Sequence, residues 1–236
     1  MNYLFFYLND NSLDLKLKYP LPENVESHSI EITRTARWFH IGVLPSECQE
    51  IVILLHGYGQ HPSYMLSGLH SLEKAGRSIC APEGLSRFYV RGANGRVGAS
   101  WMTRDDRQQE IKDHISYLNT WLQSLKLSKN RHITLVGFSQ GVATAARWIA
   151  SGVEIDKVVF LSGTLPPEWK LKKPQISERI DEIHIVRPLH DEFYSETEHH
   201  QALDTLKSQD VVVKSHEPEG THKINAQILN RILTAS

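Results

Sequence analysis

Cysteine is scarce in this chain, with only Cys48 and Cys80 among 236 residues. They fall in different expected elements and make no metal or redox spacing, which excludes a cysteine metal centre and a dithiol redox site. Cys80, inside Ser78-Ile79-Cys80-Ala81, reads as a buried strand thiol. Long hydrophobic runs are also missing. No stretch approaches the ~20 apolar residues of a bilayer span. The apolar start from Met1 to Leu8 lacks a basic leader and breaks at Asn9-Asp10, so it is not read as a signal peptide. These absences place the chain in a reducing cytoplasm. Nor is charge of one sign concentrated. Lys and Arg number 26 against 27 Asp and Glu, a net charge of -1, without a local basic cluster. That argues against a nucleic-acid or anionic-membrane footprint and for small-molecule partners. A homodimer is left open. The 13 histidines are scattered, with no H-E-x-x-H and no paired cysteines, so no metal is expected.

The length suits one α/β domain with a sizeable core. Residues 3–8 and 13–19 alternate around Asn9-Asp10-Asn11-Ser12 as a β-hairpin would, and Pro20 and Pro22 follow. Residues 1–25 therefore read as an N-terminal extension, and residues 26–236 as the main domain. Opening antiparallel strands are expected at Ser29–Thr33 and Arg37–Ile41. The unbroken apolar run Ile51–Leu55 suggests a strand buried on both faces. Further strands are expected at 78–81, 132–137, 157–161, 182–187 and 210–214. Helices are expected near 62–75, 140–150, 193–207 and 223–234, and from a capping-box-like start at Thr103-x-x-Asp106. This alternation predicts an α/β-hydrolase-like architecture: a mostly parallel central sheet with helices on both faces and antiparallel opening strands.

The sharpest local signal is Gly137-Phe138-Ser139-Gln140-Gly141, placed between the strand-like Ile133-Thr134-Leu135-Val136 and the small-residue helix start Val142-Ala143-Thr144-Ala145-Ala146. A strand-turn-helix of this kind lifts a serine hydroxyl clear of the sheet, and glycines two residues either side allow the elements to approach. A serine hydroxyl is a weak nucleophile and needs a neutral imidazole to take its proton; a carboxylate must hold that imidazole's other nitrogen. Two later loops supply them. Asp191 follows the strand of Ile183–Arg187, and His222 lies in Glu219-Gly220-Thr221-His222 before the last helix. Asp191 also has the look of a helix N-cap, whereas Asp181 and Asp210 open strands and are poorly placed. His216 lies too near its strand to rival His222. A developing oxyanion would need main-chain N–H donors, here assigned to Gln140 and Tyr58, the latter in His56-Gly57-Tyr58-Gly59.

With these residues in hand, the chain resembles the carboxylesterase/phospholipase group of α/β-hydrolases that includes the acyl-protein thioesterases, and small bacterial esterases of that group. The resemblance rests on Leu55-His56-Gly57-Tyr58-Gly59, Ala81-Pro82-Glu83-Gly84, Gly98-Ala99-Ser100-Trp101, the Gly137–Gly141 elbow, Leu161-Ser162-Gly163 with Leu165-Pro166, the Asp191 loop and Gly220-Thr221-His222. It covers about residue 27 to the C-terminus. It implies hydrolysis of carboxylic esters or thioesters without metal or organic cofactor, and the short segments between strands, with no obvious helical lid, favour small to medium acyl groups. Lysophospholipase or peptidase activity with the same three residues, and a binding module that has lost its chemistry, stand as alternatives. Two positions depart from the pattern: Met102 and Thr103 follow Trp101 where the thioesterases carry an aromatic and an acid, and Glu192 replaces a common proline.

Among the other conspicuous side chains, Trp101 is expected to line the substrate pocket. His56 reads as a structural hydrogen-bonding residue. His199-His200 are expected on the wet side of a helix, and Arg87, Arg91, Arg96, Arg104 and Arg107 on a solvated loop from 82 to 103.

Overall fold

The computed structural model describes residues 22, 24–128, 130–171, 180–209 and 211–235. It divides the chain into Met1–Arg34 and Thr35–Ser236, and every element named below lies in the second unit. The hairpin expected over residues 3–19 lies outside the described residues.

The strands are β1 (Trp38–Gly42), β2 (Glu50–Leu55), β3 (Arg77–Pro82), β4 (Ser86–Tyr89), β5 (Val97–Ser100), β6 (His132–Phe138), β7 (Lys157–Leu161), β8 (Glu182–Val186) and β9 (Val212–His216). The helices are α1 (Pro62–Ser67), α2 (Arg107–Ser124), α3 (Gln140–Ala150), α4 (Glu168–Leu171), α5 (Glu196–Lys207) and α6 (Ala226–Thr234). Seven strands form one sheet in the order β1-β3-β2-β6-β7-β8-β9, antiparallel between β1 and β3 and parallel elsewhere.

The strand sequences explain why both faces are covered. In β2, Ile51, Ile53 and Leu55 point into a core shared with α2, α3 and α5, whereas Val52 and Leu54 point into a second core with α1 and α6. An apolar residue at every position from Ile51 to Leu55 thus serves two layers of helices. The nine-residue α6 is too short to hold its shape alone. Ile228, Leu229, Ile232 and Leu233 are all buried, and at about 1.5–3 kcal/mol per side chain their packing is what fixes it.

Four expectations need correction. Residues 29–33 form no strand: the Ile30/Ile32 alternation is not matched by any ladder, and both side chains are exposed. The segment expected as a loop from 82 to 103 contains the antiparallel hairpin β4–β5, tied to the chain after β2 by the Gln60–Ala99 bridge. Helix α2 starts at Arg107 rather than Thr103, because Asp106 at φ 45° caps nothing with its side chain and the Glu110 carboxylate turns back to accept from the Thr103 N–H. His199 is fully buried and bonded to Ser215 Oγ at 2.8 Å, so only His200 lies on the wet side.

Chain order reverses between β2 and β6: the strands before β6 extend to one side and those after it to the other. The crevice at such a switch point, beyond the carboxyl ends of the strands, is where α/β sheets bind ligands. The loops leaving β2 and β6 form its two walls. Their approach depends on glycine: a Cβ on Gly141 would stand 2.1 Å from the Leu55 carbonyl oxygen, and one on Gly137 would stand 2.5 Å from that of Gly141. Gly141→Ala is therefore expected to lose about 1–3 kcal/mol of stability. At about 2–4 °C per kcal/mol for a chain of this size, thermal unfolding should register a clear drop in Tm.

Candidate active site

Ser139 sits between β6 and α3 at φ 54°, ψ −117°, a backbone conformation that non-glycine residues avoid. The elbow is held from both sides. The Ser139 N–H donates to the Leu161 carbonyl at 3.0 Å, and a Cβ on Gly163 would lie 2.3 Å from the Ser139 carbonyl oxygen. The first N–H groups of α3, beginning with Gln140, have no partner within the helix and carry its positive dipole end.

Two other strand ends deliver the remaining side chains. Beyond β8 and β9 the chain continues as two loops joined by main-chain bonds: Leu189 N–H to Pro218 O at 3.0 Å, and His190 N–H to Gly220 O at 2.9 Å. This brings Asp191 beside His222. His222 Nδ1 lies 2.8 Å and 3.0 Å from the two Asp191 carboxylate oxygens, and His222 Nε2 lies 3.0 Å from Ser139 Oγ. A carboxylate only accepts, so neutral His222 carries its proton on Nδ1, and Nε2 is left to accept from the serine hydroxyl. The Asp191 side chain is fully buried; that of His222 is 16 % exposed.

Asp191 also accepts from the N–H groups of Phe193 and Tyr194, each at 2.9 Å. The cap of the next helix is nevertheless Ser195, in a capping box with Glu198, so α5 begins at Glu196 and Asp191 stands outside it. Phe193 and Phe138 flank the imidazole, with ring centroids 4.8 Å and 5.0 Å from that of His222. Neither aromatic was read from the sequence. The only signal for Phe193 was its place two residues after an Asp able to close an Asx turn.

The loop after β2 lies against the elbow: a Cβ on Gly57 would stand 3.0 Å from Ser139 Cβ. Tyr58 is 44 % exposed, and its ring meets Phe88 of β4 at 5.1 Å. Trp101, expected in the pocket lining, is buried. It is 3 % exposed, and its indole N–H, which needs a partner when buried, donates to the His56 carbonyl at 2.8 Å. The side chain of Gln140, also not read from the sequence, bonds Ser100, Trp101 and Met102. Among the described residues, no group of three or more His, Cys, Asp and Glu side chains could hold a metal.

The sequence profile of the phospholipase/carboxylesterase family matches residues 41–234. The chain belongs to that family. Its members are esterase-type hydrolases, and this chain is one. Acyl-protein thioesterase 2 of Zea mays is 18% identical, with a TM-score of 0.65, over 85% of this chain and 98% of that one. Carboxylesterases of Bacillus cereus and Mesorhizobium loti are 18% and 19% identical, each with a TM-score of 0.60. They cover 84% and 81% of this chain, and 91% of each of theirs. At such identities the likeness shows the α/β-hydrolase fold. A search of curated proteins found no match. No described helix of the esterase is long and apolar enough to cross a membrane.

Burial shapes the electrostatics of the esterase. It pushes the Asp191 carboxyl up, but the bonds from His222 and the Phe193 N–H prevail and hold it below its usual range. His56 is pushed down to about 4 by burial. Its Nε2 accepts from the Gly84 N–H at 2.9 Å, so Nδ1 carries the proton, directed at the Gly57 carbonyl at 2.8 Å. Burial likewise takes His114 to about 4, and lowers His184, His199 and His216. The sign follows from proton counting. Between about pH 6.5 and pH 4 the unfolded chain binds protons at His56 and His114 that the folded one refuses, so stability falls with falling pH across that window. Asp191, held low, adds a further loss once pH drops below the ordinary carboxylate range. Thermal unfolding from pH 8 to pH 4 at constant ionic strength should show Tm level at the alkaline end and declining steadily below pH 6.5.

Proposed function

We propose that the esterase cleaves carboxylic esters or thioesters of small to medium acyl groups through an acyl-enzyme on Ser139, with His222 as base and Asp191 as its orienting carboxylate. The supporting observation is the unbroken hydrogen-bond chain from Asp191 through His222 Nδ1 and Nε2 to Ser139 Oγ. As Ser139 Oγ attacks the acyl carbon, His222 Nε2 takes its proton, and the buried Asp191 stabilises the imidazolium. That proton then passes to the departing alcohol or thiol. In the second half, His222 draws a proton from water, the hydroxide adds to the acyl carbon, and as the bond to Ser139 Oγ breaks His222 returns that proton to it and the carboxylic acid leaves.

The carbonyl oxygen becomes negative in both halves. The donors assigned to it are the main-chain N–H of Gln140, at the positive end of α3, and that of Tyr58, from the loop packed on Ser139 Cβ. Being main-chain groups, they survive side-chain replacement. Cys48 and Cys80 are free and buried, which supports a reducing, cytoplasmic setting.

An active-site fluorophosphonate should label Ser139, and Ser139→Ala should abolish labelling; a folded wild-type chain that stays unlabelled would make the protein a binding module. With p-nitrophenyl esters, Ser139→Ala and His222→Ala should each lower kcat by roughly 10⁴–10⁶-fold. Acetate to hexanoate esters should turn over faster than long-chain ones, and a preference for long chains at a lipid interface would contradict the small-acyl assignment.

A further inference from the structure

Around Ser139 the walls of the crevice are joined by a continuous run of hydrogen bonds that the acyl-enzyme scheme does not use, and Trp101 lies at its centre. Its main-chain N–H donates to Gln140 Oε1 at 3.1 Å, and its indole N–H donates to the His56 carbonyl oxygen at 2.8 Å. One residue thus grips the first residue of α3 and the first residue beyond β2. The His56 ring stacks on the indole, with centroids 4.9 Å apart and planes 29° from parallel. Both side chains are buried, His56 completely.

Each arm leads to one of the two assigned N–H donors. On one side, the Gln140 amide is fixed in orientation: Oε1 must face the Trp101 N–H, and Nε2 donates to the Met102 carbonyl at 2.9 Å. Ser100 Oγ donates to that same carbonyl at 2.9 Å. On the other side, the tautomer of His56 is settled by the Gly84 N–H, and its Nδ1–H is directed at the Gly57 carbonyl, the peptide whose nitrogen belongs to Tyr58. Gly57 in turn donates its own N–H to Gln60 Oε1 at 2.7 Å.

We infer that Trp101, with the His56 ring and the Gln140 amide, is a positioning strut that sets the separation of the Tyr58 and Gln140 N–H groups before substrate arrives. The inference rests on the acyl-enzyme reading and assigns these side chains no contact with the reacting atoms. Oxyanion donors act only when they stand about 2.7–3.1 Å from the oxygen in its tetrahedral geometry, and loss of one donor typically lowers kcat by about 10²–10³-fold. Misplacement should therefore weaken the transition state and spare ground-state binding.

The test is Trp101→Phe, which keeps a buried ring and deletes the indole N–H, alongside Gln140→Ala, which keeps the main-chain N–H and deletes the amide. Inhibition is measured with an alkyl trifluoromethyl ketone, which adds Ser139 and forms an oxyanion, and with the matching secondary alcohol, which cannot. In both variants the ketone Ki is expected to rise about 10–100-fold with the alcohol Ki within about twofold, and kcat for p-nitrophenyl butyrate to fall in step while KM holds. A lowered Tm with an unchanged ketone-to-alcohol ratio would overturn the strut and make the network merely structural. Should Trp101→Phe not fold, Gln140→Ala alone decides. A wild-type protein that binds the ketone no better than the alcohol would instead overturn the acyl-enzyme reading, and the strut with it.

Discussion

The backbone of Ser139 is held where a side-chain-bearing residue does not rest unaided, at φ 54° and ψ −117°. Such a conformation typically costs about 1–3 kcal/mol and persists only where its surroundings over-determine it. Here β6 delivers the chain, α3 carries it away, and glycines at 137, 141 and 163 let backbone meet backbone where any Cβ would stand 2.5 Å or less from a carbonyl oxygen. The two cores flanking the sheet hold those elements in place. The strain at the elbow is thus supported by most of the domain. The same turn aims the hydroxyl at His222 and starts α3 at Gln140.

The other side of the site depends on a different device. Asp191 and His222 are 31 positions apart in the chain and meet because β8 and β9 are parallel neighbours whose loops continue their pairing through main-chain bonds beyond the sheet. The carboxylate is then saturated by His222, Phe193 and Tyr194, while the imidazole is gripped between Phe138 and Phe193. Every contact that orients His222 comes from a segment whose position is set by the sheet. Helix α6, docked by its apolar side chains, closes the loop behind it.

Much of this was legible in residues 41–234. Patterns of local origin read well: the double-faced run of β2, the strand-turn-helix around Ser139, and α3 over 140–150 to the residue. Reading failed where a partner decided the outcome. Ile30 and Ile32 alternate as a strand would but join no ladder; β4 and β5 are strands only because they pair with each other and with the chain after β2. His199, polar by type, is buried because Ser215 of β9 waits for it. That the Trp101 indole links two loops was not legible either, since an aromatic just past a strand gives no sign of which way it faces.

What the chain determined by itself, then, is the elbow, the order of Ser139, Asp191 and His222 along the polypeptide, and the alternation of elements that commits it to a mostly parallel sheet. Each arises from contacts within a few residues or from a period in the hydrophobic pattern. Only the tertiary structure decided that β2 and β6 flank the crevice, that Asp191 is enclosed without capping a helix, and that His56, Trp101 and Gln140 join its walls. Those depend on distances between segments far apart in sequence, and such distances are set by the packing of the whole sheet.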